Sequence, residues 1–181
     1  DAYGRNRGYL RPETRPEQIA DMLTRTDTLI HSTVMFRTEI ARRLGGYRAA
    51  LEAAEDYDLW LRMSEVTRLA NVAEPLVQYR RHDMNVSARR VIRQSFSVRL
   101  AQRATGIRRQ TGRDPATCIT TPPDWRSPEA LGAFYADDAI IYRLLDLADP
   151  EWASRSRQVD FSPLVERLSL LNHAERRMAT L

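Results

Sequence analysis

Lysine is missing altogether from this chain of 181 residues: all 28 basic residues are arginine, against 24 acidic ones. The positive charge therefore never titrates near neutrality, and each cation is a planar fork suited to carboxylate or phosphate. Cysteine is nearly absent too. The single Cys118 cannot close an intrachain disulfide, and His31, His82 and His173 lack zinc-finger spacing, which excludes a disulfide scaffold and a structural zinc domain. Charges interrupt every apolar stretch, so no run approaches the roughly 18 apolar residues of a membrane span; mean hydropathy is −0.52. The opening Asp1-Ala2-Tyr3-Gly4 has the layout of neither a signal nor a transit peptide and reads like a chain cut within a domain. With 43% apolar and 29% charged residues, the composition is that of one globular domain, or of one domain with an appendage.

What is present predicts an α+β, mostly helical fold. Pro16 to about Arg25 has helical apolar spacing behind a proline suited to a first helical position. Thr33-Val34-Met35-Phe36, within Leu29 to Arg37, has the β-branched and aromatic content of a short buried strand. Thr38 to Leu44 predicts a helix that Gly45-Gly46 ends. Ala53 to about Glu65 is the best-specified helix, with Glu55, Asp56 and Asp58 crowding its positive end and Trp60 in its core face. Arg68 to Arg81 changes to a period of two, which with Pro75 predicts an edge strand. Beyond Asp83 the pattern is helical only. Ile92, Phe96, Leu100, Ala104 and Ile107 form one stripe, residues 111 to 128 a proline-rich connection, and Ser127-Pro128 and Ser162-Pro163 open helices to about Leu147 and Met178. In the first of these, Leu131, Phe134, Ile141, Tyr142 and Leu145 are the expected buried stripe, with Asp137 and Asp138 in solvent. The chain thus divides into residues 1–87, an arginine-rich helix over 88–112, a linker over 113–128 and a helical appendage over 129–181.

Chemistry concentrates in Ala54-Glu55-Asp56-Tyr57-Asp58-Leu59-Trp60-Leu61-Arg62. An ionised aspartate within reach of a bound alcohol can take its proton as the oxygen attacks, which is general base catalysis. The plainer alternative is a capped helix with an Asp58 to Arg62 pair at i, i+4, worth about 0.2–0.5 kcal/mol. Asp58 points about 200° around a regular helix from Asp56, so the two cannot serve the same hydroxyl, and Asp56 is the favoured base. Tyr79-Arg80-Arg81-His82 places guanidinium and imidazole groups at a predicted strand end, where they can meet diphosphate oxygens or remain solvated. His31 is expected to be a satisfied core or loop histidine. Cys118 supports no nucleophile.

The order of these segments resembles the acceptor half of family 2 glycosyltransferases, which have the GT-A fold. The resemblance lies in His31-Ser32-Thr33-Val34-Met35-Phe36-Arg37, Gly45-Gly46-Tyr47, Glu55-Asp56-Tyr57-Asp58-Leu59-Trp60-Leu61-Arg62 and Tyr79-Arg80-Arg81-His82. It covers about a third of the chain closely and nothing after Ala88. It implies that residues 1–87 are the acceptor-side half of a GT-A α/β domain that moves a sugar, with inversion, from a nucleotide-sugar donor to an acceptor hydroxyl. Asp56 then corresponds to the catalytic base, Glu55 orients the acceptor, Tyr47 offers a stacking surface, and Arg80 and His82 lie on the donor side. A divalent metal, magnesium or manganese, is implied as cofactor; His82 can approach it, but its main ligands belong to a preceding nucleotide-binding half with an Asp-x-Asp motif. No Asp-x-Asp precedes Asp56. The expectation is therefore a C-terminal piece of a longer cytoplasmic enzyme, inactive by itself.

A competing reading comes from Met84 to Arg113, which holds eight arginines and no acidic residue. Such a helix can lie on anionic lipid, as suits an enzyme with a lipid-linked acceptor, or can bind nucleic acid. Phe96 is the only aromatic of the tract, which argues against nucleic acid. The alternative function is thus a non-catalytic helical module that binds an anionic surface; the structural alternative is a solvated helix face.

Overall fold

A computed structural model describes residues 8–78 and 91–148. The chain divides into two compact units, Asp1–Pro122 and Pro123–Leu181. Described residues of the first form helices α1 (Pro16–Met22), α2 (Thr38–Arg43), α3 (Glu55–Ser64) and α4 (Val91–Thr111); those of the second form α5 (Ala136–Ala148). Short 3-10 turns lie at His31–Thr33, Ala49–Leu51, Pro115–Cys118 and Pro128–Gly132.

No strand or sheet occurs among the described residues, which corrects the α+β expectation and with it a GT-A α/β domain with short strands. The segment expected as a buried strand begins as the 3-10 turn at His31, and Val34 and Arg37 then take extended dihedrals without a neighbouring strand. Met35 is 96% exposed. β-branched and aromatic content favours a strand only where a pleated, half-buried surface exists to receive it, and here none does. For the same reason residues 68–78 form no strand, and Val72, Leu76 and Val77 stand exposed. Residues 79–82 lie outside the described part.

The local helix signals at α2 and α3 are realised, whereas the helix expected from Ser127-Pro128 to about Leu147 is a 3-10 turn at Pro128–Gly132, with α5 starting separately at Ala136. Gly45 and Gly46 have φ of +83° and +67°, and the Gly46 and Gly45 amides donate to the Ala41 and Arg42 carbonyls at 2.8 and 3.0 Å, closing α2 in a Schellman turn. Helix α3 starts from Ala54 without a side-chain cap; instead the Asp56 carboxylate accepts from the Tyr57 amide at 2.8 Å, satisfying one donor of its open first turn. Just before it, Ala53 has a φ of +67°, a costly conformation for a residue with a Cβ.

The core of the first unit forms where α3 packs against α4. Tyr57, Leu59, Trp60, Leu61 and Met63 of α3 meet a core that includes Phe96, Leu100 and Ala104 of α4, with Ile19 and Leu23 from the α1 region, and all are essentially inaccessible. Burying side chains of this size is worth about 1.5–3 kcal/mol each. Trp60 is core, as its neighbours imply; Ile92, expected in the α4 stripe, is 44% exposed.

A chain of ion pairs runs beneath α3. Arg62 bonds Asp58 at 2.6 Å and donates to the Leu44 and Gly46 carbonyls at 2.6 and 2.8 Å, holding the end of α2. Arg48 lies 3.6 Å from Asp58 and 2.5 Å from Asp114; Arg108 of α4 reaches Asp114 and Glu65, each at 2.8 Å. Burial pulls the Arg62 guanidinium below its usual range, and the Asp58 charge opposes this. The Asp58 to Arg62 pair is thus a buried contact rather than a surface one.

In the second unit, the Trp125 indole donates to Asp146 at 2.6 Å, Arg126 pairs with the same carboxylate at 2.8 Å, and Arg143 donates to the Trp125 carbonyl at 2.6 Å. Ala139, Ile140 and Tyr142 are buried. Two expectations change here: Asp138 is 1% exposed rather than solvated, and Leu145 is 49% exposed rather than core.

Candidate active site

Asp56 stands in the first turn of α3, where the unpaired amides of the helix start favour negative charge. Its carboxylate has two anchors. Oδ1 accepts from the Tyr57 amide, and Oδ2 lies 3.3 Å from His31 Nδ1. On the other side of the imidazole, Nε2 is 3.1 Å from the Tyr47 hydroxyl. The imidazole thus lies between the Asp56 carboxylate, at ion-pair distance, and the Tyr47 hydroxyl, at hydrogen-bond distance. His31 is therefore a member of the site, against its expected role as a satisfied core or loop residue.

Aromatic packing surrounds the imidazole. The His31 ring lies 5.5 Å from Tyr47 and 6.0 Å from Trp60, and Tyr47 lies 6.5 Å from Trp60. Phe36 adds a fourth ring at 5.7 Å from Trp60. Trp60 is fully buried while Tyr47 is 45% exposed, so the group has a fixed base and an open edge. The Tyr47 hydroxyl is held above its usual pKa by burial, reinforced by the charges of Asp56 and Glu55. Glu55 is half-buried beside the base.

Asp56 also borders a cleft of about 430 Å³. Its walls come from Arg25, Thr26 and Asp27 of the loop after α1, from Ala53, Ala54 and Tyr57 at the start of α3, and from Gln94, Ser95 and Val98 of α4. The loop is fixed where Gln102 donates to the Arg25 carbonyl at 3.0 Å and to the Tyr57 hydroxyl at 3.1 Å, while Tyr57 donates to the Leu23 carbonyl. Asp27 Oδ1 accepts from the Leu29 amide at 3.0 Å. Surrounding protein pushes the Asp27 carboxyl up to about 6; the Leu29 amide opposes this and the Asp56 charge adds to it.

Of the residues expected from sequence, Asp56 and Tyr47 come together around His31, and Glu55 precedes Asp56 in the first turn of α3. Arg80 and His82 lie outside the described residues. Asp58 is fully buried against Arg62, which removes it as a competing base. Asp27 and Gln94 were not expected. Neither carries a motif; only the packing of α4 and the loop against α3 brings them to the cleft.

The described residues do not fit a divalent metal: no group of three His, Cys, Asp or Glu side chains among them could hold one. The arginine tract is also less uniform than its sequence. Arg108 is 13% exposed and holds Glu65 and Asp114, and Arg109 pairs with Glu65 at 3.6 Å. No described helix is long and apolar enough to cross a membrane. Comparison of the chain with family models, curated proteins and solved structures gives no match.

Proposed function

We propose that the chain is the acceptor-binding, catalytic-base part of an inverting glycosyltransferase, with Asp56 taking the proton of the acceptor hydroxyl. One observation carries the reading. The Asp56 carboxylate is anchored by the Tyr57 amide and His31 yet borders a cleft, whereas Asp58, two residues on, is buried in an ion pair. A base needs an oxygen in reach of the alcohol and a fixed orientation; the cleft edge and the Tyr57 amide contact support this reading for Asp56. His31 cannot replace it as base, since Nε2 already meets Tyr47 and Nδ1 meets Asp56. The ordered motifs quoted above add support by their resemblance to family 2 enzymes.

In this reading a nucleotide-sugar lies above the cleft, the acceptor oxygen attacks its anomeric carbon from the side opposite the diphosphate, and the proton passes to Asp56. The donor, and a divalent metal on its diphosphate, are held mainly by residues beyond this chain, and no step here depends on that metal. A cytoplasmic site of action, at the membrane surface for a lipid-linked acceptor, belongs to the same proposal.

The test is sugar transfer from a panel of nucleotide-sugars, with the nucleotide-binding part supplied, for wild type and Asp56→Asn. Loss of general base catalysis is expected to lower turnover by about 10²–10⁴-fold. Unchanged turnover in the variant overturns the assignment.

A further inference from the structure

Exposed apolar side chains gather around α2, outside the cleft. This helix has six residues, Thr38–Arg43, and is about 9 Å long. Phe36 just before it and Tyr47 just after it both rest on the buried Trp60, with ring centres 5.7 and 6.5 Å away, so the two ends of α2 are anchored to one indole of α3. Both rings keep an open face, Phe36 at 36% and Tyr47 at 45% exposure, and Met35 beside Phe36 is 96% exposed. The same stretch carries Arg37, Arg42 and Arg43, all exposed, against a single acidic residue, Glu39. None of these three guanidiniums has a hydrogen bond or an ion pair among the described residues. The arginines of α4 differ: Arg108 and Arg109 face Glu65, and Arg93 lies over the Phe96 ring at 6.0 Å.

A methionine held almost wholly in water gains by entering an apolar medium, and its flexible thioether fits a disordered one. Aromatic rings with one face packed and the other open suit the boundary between lipid headgroups and acyl chains. Arginine forks grip phosphate oxygens at the same depth, and a negatively charged bilayer surface attracts each cation near it. Nucleic acid would engage the rings and the arginines and leave Met35 in water, so it accounts for less of the patch. We propose that the α2 edge, formed by Met35, Phe36 and Tyr47 with Arg37, Arg42 and Arg43, docks on an anionic membrane surface, with Met35 entering the acyl boundary and the arginines on lipid phosphates. The proposal goes beyond the transferase reading and does not need it. Where that reading holds, Tyr47 leads through His31 to Asp56, and docking brings the base to a lipid-linked acceptor.

The experiment is co-sedimentation of the 181-residue chain with vesicles of phosphatidylcholine alone and of phosphatidylcholine mixed with phosphatidylglycerol. Binding is expected to the anionic vesicles only and to weaken as salt is raised. Loss of one cation close to such a surface lowers affinity about fivefold, so Arg42→Gln combined with Arg43→Gln is expected to lower partition by about tenfold or more. Met35→Ser, which keeps every charge, is expected to lower it by about fivefold or more. Arg109→Gln on α4 is expected to leave it unchanged. All these positions are exposed, and circular dichroism verifies that the variants fold. Absence of binding, equal binding to both kinds of vesicle, or binding that survives the Met35 and the arginine substitutions overturns the proposal. Loss on Arg109→Gln in their place moves the contact to α4 and overturns it as well. So does binding of a single-stranded oligonucleotide that displaces the vesicles and is indifferent to Met35→Ser, which identifies nucleic acid as the partner. The transferase reading fails separately: normal turnover by Asp56→Asn removes the base and leaves vesicle binding as it stands.

Discussion

His31 Nδ1 stands 3.3 Å from Asp56 Oδ2, while the Tyr47 hydroxyl, 3.1 Å from Nε2, holds the imidazole from behind. Two residues from separate segments thus stand behind one carboxylate, and the cost of losing the nearer one, His31, can be stated. His31→Ala is expected to lower kcat with little change in acceptor KM, because the ring touches the base and not the cleft. Tyr47→Phe removes only the distal hydrogen bond, worth about 0.5–1.5 kcal/mol, and is expected to lower kcat by about tenfold or less. Steady-state kinetics with a varied acceptor checks both; a rise in KM alone would assign His31 to acceptor binding.

Asp58 and Arg62 make a different prediction. Both are almost fully buried, so Asp58→Ala leaves a guanidinium without its counter-charge inside the protein and is expected to cost about 3–5 kcal/mol of stability. Urea unfolding measures this. A loss below about 1 kcal/mol, the level of a surface ion pair, contradicts the buried pair.

Asp27 gives the first unit a pH dependence. Although Asp27 keeps a face in solvent, the protein around its carboxyl and the Asp56 charge push it up to about 6 from 3.8, so the folded state holds this proton more tightly than the unfolded chain. The contribution to stability is therefore fully present below the reference value and declines as pH rises toward about 6, after which it is constant. Asp27→Asn is expected to remove that decline. Melting temperatures of the two proteins between pH 4 and pH 7 test it, and parallel curves refute it.

Ala53 occupies left-handed backbone at the cleft wall, with a φ of +67°. A side chain there costs about 1–2 kcal/mol, and glycine's extra freedom in the unfolded chain returns about 0.5–1 kcal/mol of that. Ala53→Gly is expected to stabilise the protein slightly, by up to about 1 kcal/mol, as read from the urea midpoint. Destabilisation would mean that the Cβ contributes packing that outweighs the strain.

Local signals in the sequence translated well. The Gly45-Gly46 stop needs only its own turn, and the acidic start of α3 needs only its own first amides, so both could be read without neighbours. Strands were misread because Thr33–Phe36 and residues 68–78 carry the right side chains but meet no adjoining strand. His31 was undervalued since its two partners are 16 and 25 positions away in the chain. Asp27 and Gln94 were invisible for a related reason: their role arises from α4 lying across α3, and no short pattern encodes that contact.

The run of alternating charges from Arg62 through Asp58, Arg48, Asp114 and Arg108 to Glu65 bears on how the protein can be shortened. Arg48 and Asp114 are 66 positions apart, and Arg108 and Glu65 are 43. A truncation anywhere between α3 and the turn at Pro115 removes Asp114 from this clasp and, where it takes α4 away, uncovers the apolar face of α3 packed on Phe96 and Leu100. An engineer who trims the chain after the motif-bearing segments, on the view that the remainder is decoration, should obtain an insoluble product; the smallest piece worth expressing ends no earlier than the turn that follows Asp114.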